Sequence, residues 1–295
     1  MTVADWYDRQ VYGVAPPTPE VVSVDADGDE VTLTLGGPGG ELSLRVLVRL
    51  PDDRPAPVLL ALNFDGNEDT ISGTPRRERF PYDAVNARGY GIATLHLADV
   101  APDDPQRYHT GVHRAMGLPH DPRPAGGTGA LAAWAWGLSQ ARRYLETRGD
   151  VASVTSIGHS RLGKAALLAA ARDPGFAGAI SVQSGCGGAA LFDRKGGERI
   201  ADITTNFPHW FCPAFHGWRG RDAEVPHDQD ALLSMIRPRP VVVLSAADDA
   251  WADTHAEERC AARVGAAYHR RPGKHEFLAK DWRTALDLLE ARATD

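Results

Sequence analysis

The sequence predicts an α/β protein with a mostly parallel central sheet. Three observations carry that prediction: short, continuous apolar runs recur from Val58 onward, helix-like segments lie between them, and no linker or internal repeat divides the chain. A strand buried on both faces reads as an unbroken apolar run, whereas a half-exposed strand alternates. Buried strands alternating with helices build a parallel sheet, because each parallel crossover needs a long connection.

The elements follow in order. Residues 30–36 and 41–50 alternate apolar and polar, and the Gly-Gly-Pro-Gly-Gly stretch between them is a hairpin loop. They are expected to form an antiparallel pair at a half-exposed edge. Continuous apolar strands are expected at residues 58–64, 91–97, 153–157, 178–182 and 240–245. Helices are expected at residues 129–147, where Leu131, Trp134, Leu138 and Leu145 lie near one face, and at residues 161–171, 228–236 and 281–293. In the second of these, Ala165, Leu168 and Ala169 have the spacing of one apolar face that would pack on the sheet. The stretch 101–128, rich in Pro, Gly, His and Asp, reads as a long loop of the kind that rims active sites. One domain covering residues 1–295 is expected.

Composition narrows the function. Apolar residues make up 43% and charged residues 24%, which fits a soluble globular chain and not a disordered or collagen-like one. The net charge is −7 and no large Lys/Arg cluster occurs, so no nucleic-acid partner is expected. No apolar run is long enough to span a bilayer, and no membrane partner is expected. The first residues lack the basic and apolar regions of a signal peptide. A cytoplasmic location is therefore expected unless a leader was removed. Cys186, Cys212 and Cys260 form no C-x-x-C pattern and are expected as buried, reduced thiols rather than metal ligands. Nothing in the sequence sets an oligomeric state.

The strongest chemical signal is Gly158-His-Ser-Arg-Leu-Gly-Lys164. An apolar strand ends there and a helix begins, so Ser160 lies at a sharp strand-to-helix turn. Such a nucleophile elbow lifts the hydroxyl clear of the sheet and aims N–H groups of the helix start at the reaction centre. A plain serine helix cap after a glycine turn would read the same locally. The motif also departs from G-x-S-x-G: Leu162 stands where glycine is usual, and the glycine is Gly163. A serine nucleophile needs a base and an orienting acid. In the α/β-hydrolase fold these follow the serine in chain order. Asp249, with Asp248 as alternative, lies just after the strand at residues 240–245. His275 lies in a loop before the last helix. His159, His209, His227, His255 and His269 lack that placement.

At G-H-S-R-L-G-K the sequence resembles the bacterial glucuronoyl esterases, carbohydrate esterase family fifteen. The resemblance extends through Arg9-Gln-Val-Tyr-Gly-Val-Ala-Pro-Pro, Asn63-Phe-Asp-Gly-Asn, Asp121-Pro122, Ala132-Ala-Trp-Ala-Trp-Gly and Ser184-Gly-Cys-Gly-Gly-Ala-Ala-Leu. It continues through Phe207-Pro-His-Trp-Phe-Cys, Pro238-Arg-Pro-Val, Trp251-Ala-Asp and Gly273-Lys-His. It implies an α/β-hydrolase fold with helices on both sheet faces. It implies Ser160 as nucleophile, His275 as base, and Arg161 serving the oxyanion through its N–H and guanidinium. Lys164 would contact ring hydroxyls, and Trp251 and Trp210 would line the sugar site. Many relatives take the acid from a glutamate before Ser-Gly, where this chain has Gln183, so the resemblance moves the acid to Asp249. Gln183→Glu is expected to rescue an Asp249→Asn variant in part if that older position points at His275.

The expected activity is hydrolysis of a carbohydrate ester, foremost a glucuronoyl ester, through an acyl-enzyme, with no cofactor or metal. The expected partner is a small carbohydrate ester. The alternatives are an acetyl or other carboxylic ester hydrolase and a catalytically silent binding protein on the same fold.

Overall fold

The structure, a computed structural model, describes residues 1–71, 80–193 and 196–293. The described residues form a nine-stranded sheet. Its strands are β1 (Glu20–Asp27), β2 (Glu30–Gly37), β3 (Gly40–Arg49), β4 (Ala56–Asn63), β5 (Gly91–His96), β6 (Val151–His159), β7 (Gly178–Val182), β8 (Val241–Ala246) and β9 (Ala267–Arg271). The spatial order is β1-β2-β3-β5-β4-β6-β7-β8-β9. From β5 to β9 every pairing is parallel, while β1, β2, β3 and β5 pair antiparallel in turn. The expected hairpin is β2–β3, closed by the pairing of Gly37 with Gly40. The structure adds β1 outside it, almost wholly exposed.

The continuous apolar runs are explained by two cores, one on each face of the sheet. Successive side chains of a strand point to opposite faces. Val58, Leu60 and Leu62 of β4 join one cluster, and Leu59 and Ala61 join the other. On β8, Val241 and Val243 divide from Val242 and Leu244 in the same way. The first core is covered by the helices Ala130–Glu146 and Arg161–Arg172. The second is covered by Tyr82 and Val85, and by Trp282, Ala285, Leu286 and Leu289 of the helix Ala279–Ala293. Burying side chains of this size contributes roughly 1.5–3 kcal/mol each.

The helix after Ser160 departs from the one-faced expectation. Every residue from Leu162 to Ala170 is buried. It packs on β6 and β7 and also against the helix Ala130–Glu146. Its run of alanines lets neighbours approach from several sides, so Ala165, Leu168 and Ala169 are one part of a helix enclosed all round. No described helix is long and apolar enough to cross a membrane.

Candidate active site

The parallel strands β6, β7, β8 and β9 lie side by side, and the chain leaving the C-terminal end of each carries one part of the site. Ligands in open α/β sheets bind at these ends. Ser160 follows β6 at φ 57° and ψ −127°, outside the usual regions for a residue with a side chain. Its N–H donates to the Val182 carbonyl at 2.9 Å, which ties the elbow to β7. The helix begins at Arg161; its Gly163 and Lys164 N–H groups donate to the Ser160 carbonyl at 2.9 and 3.2 Å, and the Arg161 and Leu162 N–H groups precede that hydrogen-bond ladder.

The displaced glycine of the motif now has a physical reason. A Cβ on Gly158 would meet the Leu162 carbonyl oxygen at 2.2 Å, and one on Gly163 would meet the Gly158 oxygen at 2.9 Å and Ser184 Cβ at 3.1 Å. The close approaches therefore fall at positions 158 and 163. Position 162 instead carries a buried leucine that packs in the first core.

After β8, Asp249 is buried, and its Oδ2 lies 2.5 Å from His275 Nδ1. Its Oδ1 accepts the Ala252 N–H at 3.1 Å. Burial raises the Asp249 carboxyl, but the hydrogen bond and charge of His275, with the Ala252 N–H, outweigh it and hold the group below its ordinary value. Asp248 is exposed, so of the two candidate acids Asp249 pairs with the histidine. The His159 ring packs at a tilt against His275, with ring centroids 4.5 Å apart, and stacks on Phe277 at 5.8 Å.

Ser160, Arg161, Lys164, Trp210, Trp251 and His275 line one cavity of about 230 Å³. The expected site residues other than Asp249 thus share a wall, and Asp249 stands behind His275. Lys164 is 4% exposed and its Nζ donates to the Ser184 carbonyl. Trp210 is buried, while Trp251, on the same cavity, is 52% exposed. The Arg161 guanidinium lies over the Trp210 ring at 4.8 Å and the Phe207 ring at 5.5 Å.

Sequence reasoning missed Asp103. Its carboxylate pairs with Arg161 and also accepts His209 Nε2 at 2.9 Å and Trp210 Nε1 at 2.6 Å. Burial raises its carboxyl, and these three donors together bring it below the usual value. Asp103 therefore joins the long loop to the Arg161 side chain and the Trp210 wall. Its signal was its place in the stretch read as a rim loop. Glu198, also on the cavity wall, lies in a segment without periodicity and was missed as well.

The family profile described as "Glucuronyl esterase, fungi" matches residues 123–270. A carbohydrate esterase from an unknown prokaryotic organism is 32% identical, with the alignment covering 99% of this chain and 84% of that protein. A 4-O-methyl-glucuronoyl methylesterase of Podospora anserina is 26% identical over 84% of this chain, which spans 51% of that protein's length. Among solved structures, a glucuronoyl esterase from Solibacter usitatus is 31% identical, with a TM-score of 0.85, covering 98% of this chain and 91% of that one.

Proposed function

The chain belongs to the glucuronoyl esterase family, carbohydrate esterase family 15, and on that premise we propose that it hydrolyses an ester of a glucuronic acid sugar through Ser160, His275 and Asp249. One observation carries the triad. The Asp249–His275 hydrogen bond of 2.5 Å stands at the cavity whose wall includes the elbow serine.

Ser160 Oγ attacks the ester carbonyl carbon, and His275 takes the hydroxyl proton. Asp249 fixes the histidine by its Nδ1–H and stabilises the imidazolium that forms. The oxyanion is met by N–H groups at the helix start and by the Arg161 guanidinium. Collapse breaks the bond from carbon to the alcohol oxygen, and His275 returns its proton to that leaving alcohol. Water then repeats the attack and frees the uronic acid. The sugar is the acyl part, so it stays on Ser160 while the alcohol departs. Lys164, Trp210 and Trp251 surround the ring.

Ser160→Ala tests the reading. Turnover of benzyl glucuronate should fall by roughly 10⁴-fold or more, because triad members act as a unit. Near-normal turnover by folded Ser160→Ala protein would remove the serine mechanism.

A further inference from the structure

Strand β7 ends at Val182, and the next residue turns out of the sheet. Gln183 has a φ of 50°, a conformation that residues with side chains seldom adopt. Its N–H donates to the Leu244 carbonyl of β8 at 2.7 Å, so the main chain is anchored as it turns. The residue is 1% exposed, and its carboxamide reaches the loop between β9 and the last helix. There Nε2 donates to the Glu276 carbonyl at 3.0 Å, while Oε1 accepts the Glu276 N–H at 2.9 Å. The same oxygen lies 3.4 Å from His159 Nε2.

One side chain thus pairs with one residue's main chain in both directions, as a neighbouring peptide unit would. The residue it holds directly follows His275. The Glu276 carbonyl also accepts Arg271 Nη2 at 2.7 Å, and Arg271 is itself fixed by Asp281 at 2.6 Å. Asp249 holds the imidazole at Nδ1 and the His159 ring packs on it, but where the ring stands also depends on the main chain that carries it. The Gln183 bonds fix that main chain at the residue next to His275.

We propose that Gln183 is a positioning residue for this reaction: its neutral carboxamide clamps the His275 loop so that the Asp249–His275 pair meets Ser160. The proposal rests on the triad reading above. It also replaces the expectation that this position points at His275, because the carboxamide is directed at the Glu276 main chain. The amide is required because an ionised carboxylate has no hydrogen to give the Glu276 carbonyl, and leucine has neither donor nor acceptor.

The test compares Gln183→Glu, Gln183→Leu, Asp249→Asn, the Asp249→Asn/Gln183→Glu pair and Ser160→Ala, each checked for folding by circular dichroism. The kcat and KM for benzyl glucuronate are measured separately. Gln183→Glu and Gln183→Leu should each lower kcat by roughly 10- to 100-fold with KM within about twofold, the pattern of misplaced chemistry with intact binding. The double variant should be no faster than Asp249→Asn alone. Gln183→Glu preserves size, so it carries the test if the leucine variant fails to fold. Unchanged kcat in a folded Gln183 variant would overturn the proposal. So would recovery of Asp249→Asn by Gln183→Glu, which would make position 183 an acid site. Turnover surviving in Ser160→Ala would instead overturn the serine mechanism on which the clamp rests.

Discussion

At Lys164 the ammonium is buried beside the Ser184 carbonyl, with the Trp210 ring 5.9 Å away. Burial lowers its pKa, and the charges of Glu198 and Glu257 oppose that shift. The sequence placed this lysine one turn past Ser160 but could not show whether it reached the cavity from inside or outside. The enclosed helix puts it in the wall. A lysine has three donors, and the Ser184 carbonyl takes one, which leaves capacity for ring hydroxyls. Lys164→Ala should therefore cut kcat/KM for benzyl glucuronate about tenfold or more, while p-nitrophenyl acetate changes by about twofold, since only the sugar loses partners. Equal losses on both esters would remove the sugar-binding role. For the acid, Asp249→Asn should lower kcat by roughly 10³- to 10⁴-fold, because an amide supports neither the tautomer nor the imidazolium charge. Asp248→Asn should change kcat by less than about threefold, because its side chain is exposed and the carboxylate bonded to His275 is that of Asp249. A larger loss from Asp248→Asn than from Asp249→Asn, with both proteins folded, would transfer the role to Asp248.

Among elements, the helix Thr254–Val264 carries a consequence for pH. Its Glu257 is fully buried, accepting the Gly185 N–H at 2.9 Å and the Ser245 hydroxyl at 2.5 Å. Burial, with the nearby Asp249 charge, raises its carboxyl from 4.5 to about 7 against the Ser245, Gly185 and Lys164 contributions. The folded chain then binds more protons than the unfolded chain between those values, so stability falls as pH rises through that window. Each unit of displacement corresponds to about 1.4 kcal/mol. Glu257→Gln keeps an acceptor for Gly185 and offers Ser245 a donor, so it should flatten the fall in Tm between pH 4.5 and about 7. A parallel fall in both proteins would show that Glu257 does not set it. The same helix marks a limit of sequence reading. Only scattered apolar residues lie along it, and it starts from Asp253 at a φ of 55°. β1 and β9 escaped for a related reason: β1 is exposed almost throughout, and β9 reads Ala-Tyr-His-Arg-Arg. Strands that bury little leave little pattern. β4 and β8, buried on both faces, were legible because their residues are apolar almost throughout, with Asn63 and Ser245 as buried polar exceptions.

For the whole molecule, strand order turns scattered motifs into one site. Ser160, Gln183, Asp249 and His275 are far apart in sequence but follow four consecutive neighbours in the sheet. Ser160 and His275 could be read from the sequence because each sits at a recognisable break, one at an elbow and one before a terminal helix. Asp103 and the Gln183 clamp could not. The first depends on where a long irregular loop lands, and the second on a main-chain partner that leaves no trace in residue type. The loop between β5 and the helix Ala130–Glu146 holds Asp103, and through it the Arg161 side chain and the Trp210 wall. That wall is what would make the cavity fit a uronate ring rather than any small acyl group. The most direct measurement is therefore kcat/KM for benzyl glucuronate, methyl glucuronate and p-nitrophenyl acetate on the same preparation, repeated with Ser160→Ala. Both glucuronate esters should exceed p-nitrophenyl acetate in kcat/KM, and all three activities should vanish together in Ser160→Ala. Turnover of p-nitrophenyl acetate without turnover of either glucuronate ester would contradict the account.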